Sequence, residues 1–192
     1  MAYIPEEGQV TATLGPYWSK TNFESTTSPE ANPSFMTGLG LVALGDINNF
    51  SSLEITMFYT PKDFIRQQGD EFIVERSQLL HIGMGYRYWI NPYFSSSLAF
   101  YSSYTMGDPM VVYTDFPPGQ DINTSARDTT EYGFDWSIQG QLWGSDQVAV
   151  ILDTRYSFSV TPKQGEHEDT YGVLLGLRYL VQEEKKVETR KP

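Results

Sequence analysis

The stretch Tyr132-Gly133-Phe134-Asp135-Trp136-Ser137-Ile138-Gln139-Gly140-Gln141-Leu142 alternates apolar and polar residues with a period of two. One face carries Tyr132, Phe134, Trp136, Ile138 and Leu142; the other carries Gly133, Asp135, Ser137, Gln139 and Gln141. Period two is the pattern of a β-strand with two unlike faces. Here the apolar face is large and aromatic, while the opposite face accumulates charges of both signs along the chain. A spanning β-barrel needs that arrangement: lipid meets the apolar face and the interior is polar.

Working outward, eight stretches of this kind can be traced. The first lies near residues 9–18, with Val10, Ala12, Leu14 and Trp18 on one face. The second, near 35–44, sets Gly38, Gly40, Val42 and Leu44 against Leu39, Leu41 and Ala43. The third alternates Leu53, Ile55, Met57 and Tyr59 with Glu54, Thr56 and Phe58. The fourth alternates Leu80, Ile82, Met84, Tyr86, Tyr88 and Ile90 with His81, Gly83, Gly85, Arg87 and Trp89. A fifth covers 93–105, the quoted stretch is the sixth, and the seventh and eighth begin at Val148 and Tyr171. The gaps run long (19–34), short (45–51), long (61–76), short (Asn91-Pro92), long (106–130), short (144–147) and medium (161–169). An even number of strands of about 10 residues, with long and short connections alternating, predicts an eight-stranded antiparallel up-and-down transmembrane barrel. It would occupy residues 1–181, followed by a charged tail or linker start over 182–192.

Composition agrees. Aromatic residues make up 15% of the 192, led by 13 tyrosines, as suits rings that sit between lipid and water. Mean hydropathy is only -0.38, because every second strand residue is polar. The longest aliphatic run, Val148-Ala149-Val150-Ile151-Leu152, is far too short for a spanning helix. With no cysteine there is neither a disulfide framework nor a thiol site. A net charge of -11 argues against nucleic acid as a partner. The opening residues Met1-Ala2-Tyr3-Ile4-Pro5-Glu6-Glu7 have no basic and apolar leader pattern, so an export signal is expected to be absent from this chain.

Over residues 8–181 the chain resembles the small outer-membrane barrels typified by the OmpA transmembrane domain and OmpX. The resemblance rests on strand number, length and patterning. It implies a bacterial outer-membrane location, a monomer, and contact with lipopolysaccharide and phospholipid. One departure stands out. Such barrels usually end on a terminal aromatic, whereas the eighth stretch ends Tyr179-Leu180-Val181 and a charged run follows. In OmpA-like relatives a linker and a periplasmic domain follow the barrel.

The inward parity collects Glu54, Arg87, Asp135, Asp153, Arg155 and Arg178. Eight strands enclose a bore just wide enough to be filled by side chains, so these charges are expected to pair and plug it. Glu54 and Arg87 fall near the same barrel end, and Asp135, Asp153 and Arg155 lie on neighbouring strands. Trp89, Tyr101 and Trp143 share the inward parity and would fill more of the bore. Trp18, Tyr86, Tyr88, Tyr132, Trp136, Tyr156, Tyr171 and Tyr179 are the expected interfacial belts.

No catalytic residue, cofactor or metal site is read. The resemblance raises a lipid A deacylase alternative, with His and Ser two residues apart on a lipid-facing strand. His81 faces inward and His167 lies in a loop, so neither fits, and the spacing gives no sign of a converging Ser–His–carboxylate set. Asp108, Asp115, Asp121, Asp128, Glu166, Glu168 and Asp169 make the long connections acidic. They match no Ca²⁺ loop and read as a solvated, repulsive surface. The expected function is therefore structural, or surface contact through connections 19–34, 61–76 and 106–130. A small, poorly conducting pore and a soluble lipocalin-like carrier are the alternatives. The carrier would need the Leu/Ile/Phe face turned inward.

Overall fold

A computed structural model describes residues 3–26, 28–117, 119 and 122–181; the tail expected over 182–192 lies outside them. The described strands are β1 (Val10–Thr21), β2 (Met36–Asn48), β3 (Ser51–Gln68), β4 (Glu71–Asn91), β5 (Phe94–Thr114), β6 (Thr130–Gly144), β7 (Val148–Ser159), β8 (Glu166–His167) and β9 (Thr170–Val181). All pairings are antiparallel. Each long strand bonds its chain neighbours, and β9 returns to β1 with Val10 opposite Val181. The eight long strands thus close into a barrel without a free edge in its wall, as backbone in lipid requires. β8 is a two-residue addition against Ile65 and Arg66 of β3, outside the barrel wall.

The faces fall as the alternation predicts. On β3, Leu53 and Ile55 are 56% and 54% exposed, while the alternate residues Glu54 and Thr56 are at 0%. That orientation is the reverse of what a soluble carrier needs. Glycines on the inward face make room for large neighbours. A Cβ on Gly172 would collide with the Tyr17 side chain, and one on Gly133 would lie 2.6 Å from the Tyr101 ring.

Two connections differ from the expectation. Residues 61–68, 71–76 and 106–114 are not loops but continuations of β3, β4 and β5 beyond the barrel. The hairpin turns at Gly69, which has φ +66° and so occupies the left-handed region glycine tolerates. Pro61 suggested a strand end. It sits where β3's register with β2 has already stopped, at Leu39–Tyr59, so one side of β3 is an edge that tolerates the missing N–H. The charged residues there pair across strands, Arg76 Nε donating to Asp63 Oδ1 at 2.7 Å. Over this extension Ala31, Ile65, Phe72 and Val74 form a small core with Phe23 and Tyr113. Phe64, Leu79 and Ala126 form another.

Trp143 is the second correction. A register shift between Gln141 and Trp143 in the β6–β7 pairing turns its ring out, and it is 59% exposed. A bulge of this kind inverts parity downstream, which simple alternation cannot anticipate.

Candidate functional site

The lumen has two characters. One part is apolar, built from Tyr17, Val42, Leu44, Phe58, Trp89 and Leu174. Facing it is a buried ionic lattice centred on Arg87. Arg87 Nε donates to Glu54 Oε2 at 2.6 Å, and Nη1 donates to Ser95 Oγ at 2.9 Å. Its Nη2 reaches Ser137 Oγ and Asp153 Oδ2, each at 2.9 Å. Arg155 completes the lattice, with Nη2 on Glu54 Oε1 and Nη1 on Asp135 Oδ2, both at 3.0 Å. Glu54 therefore bridges the two guanidiniums. Strand alternation puts all five groups inside, and barrel closure brings β3, β4, β6 and β7 together around one point.

Of the six charges read as a network, Arg178 stands apart. It makes no ion pair among the described residues. Near the short-turn end its Nη2 donates to Gln141 Oε1, and its guanidinium lies 4.0 Å from the Tyr3 ring centroid. Parity placed it inside correctly but carries no information on height along the bore.

In its place the lattice takes up His81. Its Nε2 is 2.9 Å from Asp135 Oδ2 and its Nδ1 is 3.0 Å from Ser103 Oγ. The geometry thus gathers Ser103, His81 and Asp135 in one chain, an arrangement of which the sequence spacing gives no sign. Asp135 also accepts from Arg155 and from Ser157 Oγ, at 3.0 and 2.6 Å. The adjoining cavity is about 30 Å³, the share of one water in the liquid, so an acyl substrate has no room beside Ser103.

Above His81 a second ion pair spans the bore, Lys62 Nζ to Glu131 Oε1 at 2.7 Å, with the Tyr101 hydroxyl donating to the same oxygen at 2.8 Å. Tyr101 stacks on His81 with ring centroids 4.3 Å apart. The sequence places Lys62 in a connection and Tyr101 among residues that merely fill the bore. A usable signal is the inward-facing serines of β5, Ser95, Ser97 and Ser103, which supply hydroxyls to this interior.

The acidic connections are more structured than a solvated surface. Asp115 Oδ1 accepts the Phe72 amide, Asp128 pairs with Lys163 at 3.2 Å, and Glu166 accepts the amide and hydroxyl of Ser125. Asp108 lines an open hollow with Thr129, and Asp121 lies outside the described residues. Among the described residues no three His, Cys, Asp or Glu gather where they could hold a metal. Burial alone would raise the Glu75 carboxyl, but Arg127 and Thr124 bond it and hold it below its ordinary range. Burial pushes Glu168 up to about 7, against the pull of Lys62 and with Glu131 adding to the rise.

All eight residues read as belts point outward, Trp18 and Tyr156 being half-buried among their neighbours. Trp136, Tyr156 and Tyr171 are successive register partners and form one row across β6, β7 and β9. Tyr86 and Tyr88 lie close to the turn after Asn91.

This closed, inside-polar antiparallel barrel has the architecture of a transmembrane β-barrel. More particularly, it has the fold of the small eight-stranded outer-membrane barrels. The outer membrane protein OprG from Pseudomonas aeruginosa matches with a TM-score of 0.59 at 8% identity, covering 93% of this chain and 98% of that one. Ail, the attachment invasion locus protein of Yersinia pestis, solved with the heparin analogue sucrose octasulfate, matches at 0.50 and 13% identity, covering 90% and 99%. No protein-family model and no curated protein matches the sequence.

Proposed function

We propose that the chain is a monomeric bacterial outer-membrane barrel. Its role is structural or surface-interactive, and its lumen is plugged. The observation that carries the plug is Arg87: fully buried, it is bonded to Glu54, Ser95, Ser137 and Asp153, side chains from four other strands meeting in mid-bore. The Lys62–Glu131 pair forms a second barrier. The outward aromatics act as interfacial belts against lipopolysaccharide and phospholipid. The surface role, contact with an extracellular partner through the connections read over 19–34, 61–76 and 106–130, draws support from the packed extension of β3, β4 and β5.

The test is planar-bilayer recording of purified protein. A plugged lumen gives no steady conductance; large, stable, ion-selective steps would establish the small-pore alternative instead. Dilution from detergent into plain buffer should precipitate the protein, and a β-rich soluble monomer would refute membrane residence.

A further inference from the structure

At the short-turn end of the barrel a cavity of about 220 Å³ opens between the β6–β7 turn and the N-terminal segment, and Arg178 forms part of its wall. Arg178 is only 3% exposed. Its guanidinium lies beside a pair of aromatic rings, 4.0 Å from the Tyr3 centroid and 5.6 Å from that of Trp89. One edge donates to Gln141, while buried Nη1 has no partner.

A guanidinium does not shed its proton in a protein, and an isolated buried charge is costly. Arg87 and Arg155 meet that cost with Glu54, Asp135 and Asp153; Arg178 has no such carboxylate among the described residues. The nearby Asp46 is already occupied, accepting from the hydroxyls of Tyr3 and Ser52, both at 2.6 Å. Exposed Asp146 stands in the turn at the cavity's rim. Gln9 Oε1 is a further buried atom with no partner on the same wall. Ile4, Val148 and Leu180 supply apolar lining. At about 30 Å³ per water in the liquid, the cavity holds a molecule of several heavy atoms.

We propose that this cavity binds a small monocarboxylate with a short aliphatic portion, its carboxylate on Arg178 Nη1 and its chain against Ile4, Val148 and Leu180. The site lies at the opposite end of the bore from the Lys62–Glu131 barrier, so it stands or falls independently of the plugged-lumen reading. The carboxylate supplies the counter-charge that, among the described residues, Arg178 alone of the three buried lumen arginines lacks.

The experiment is a titration of ¹⁵N-labelled protein in micelles with sodium butyrate, against sodium chloride at matched ionic strength and inorganic phosphate as a third arm. The Trp89 indole N–H and the Gln141 side-chain amide are the reporters. Butyrate should give saturable shifts at millimolar concentration that chloride does not. Arg178→Gln should weaken binding at least tenfold, and Arg178→Lys, which keeps the charge and guards against a folding defect, should weaken it less. Absence of saturation by butyrate, equal shifts in Arg178→Gln, or shifts with phosphate alone would overturn the proposal.

Discussion

Arg87 and Asp153 sit on strands β4 and β7, separated around the wall by two others, yet Arg87 Nη2 donates to Asp153 Oδ2 at 2.9 Å. Together with the Glu54 contact from β3, this ties opposite walls of the barrel through one side chain. Truncating one member of a buried pair leaves its partners charged and unpaired, typically at about 3–5 kcal/mol. Arg87→Ala should therefore lower the urea midpoint of micelle-folded protein strongly. Adding Glu54→Gln should restore part of the loss. A single-variant effect under about 1 kcal/mol would mean water replaces the lattice.

The outward face is expected to be lipid-facing, and Leu152 of β7 lies on it, whereas Gln139 of β6 is buried in the bore. Leu152→Arg should cost roughly 2–4 kcal/mol near the bilayer midplane. Gln139→Ser should cost less, because neither polar atom of that side chain has a partner. Urea unfolding in lipid vesicles ranks the two.

Gly172 owes its identity to Tyr17, whose side chain supplies the three nearest atoms to a Cβ there. Tyr17 is itself stacked on Phe58 at 4.3 Å, so it cannot swing away freely. Overpacking of this kind costs about 1–3 kcal/mol. Gly172→Ala should show that loss, and Tyr17→Leu in the same chain should reduce it.

Glu168 lies in the segment between β8 and β9, and burial raises its carboxyl from 4.5 to about 7. The folded protein then binds this proton more tightly than the unfolded chain, so the contribution to stability grows as pH falls from about 7 towards 4.5. Above 7 the ionised carboxylate opposes folding. Glu168→Gln should flatten the stability–pH curve within that window. An unchanged slope between pH 5 and 7 would assign the titration to another group.

Closure and the identity of the inward face were legible because period two is unambiguous where one face meets lipid: Leu53, Glu54 and Ile55 decide it among three residues. What stayed hidden has physical causes. The extension of β3, β4 and β5 buries Phe64, Ile65, Phe72 and Val74 without regular alternation, since loops pack over it. Arg178 does not join the lattice and Trp143 does not face the bore, because period two records a face and neither height nor a bulge. His81 was assigned correctly to the interior, but its bonds to Asp135 and Ser103 depend on strand stagger, which no local pattern encodes.

The seam between β1 and β9 places Val10 directly opposite Val181. The two ends of the barrel are thus neighbours, and the order of the strands around the wall does not depend on where the polypeptide is cut. A short linker from the end of β9 to the start of β1, with new termini opened at the turn between β4 and β5, would preserve every ladder. Such a circularly permuted chain should reach the same barrel, since surface turns of this kind tolerate new ends. It would begin synthesis with the strand that carries Ser95 and Ser97 and finish with the strand that carries Arg87, so the residue at the centre of the lattice would be made last instead of midway.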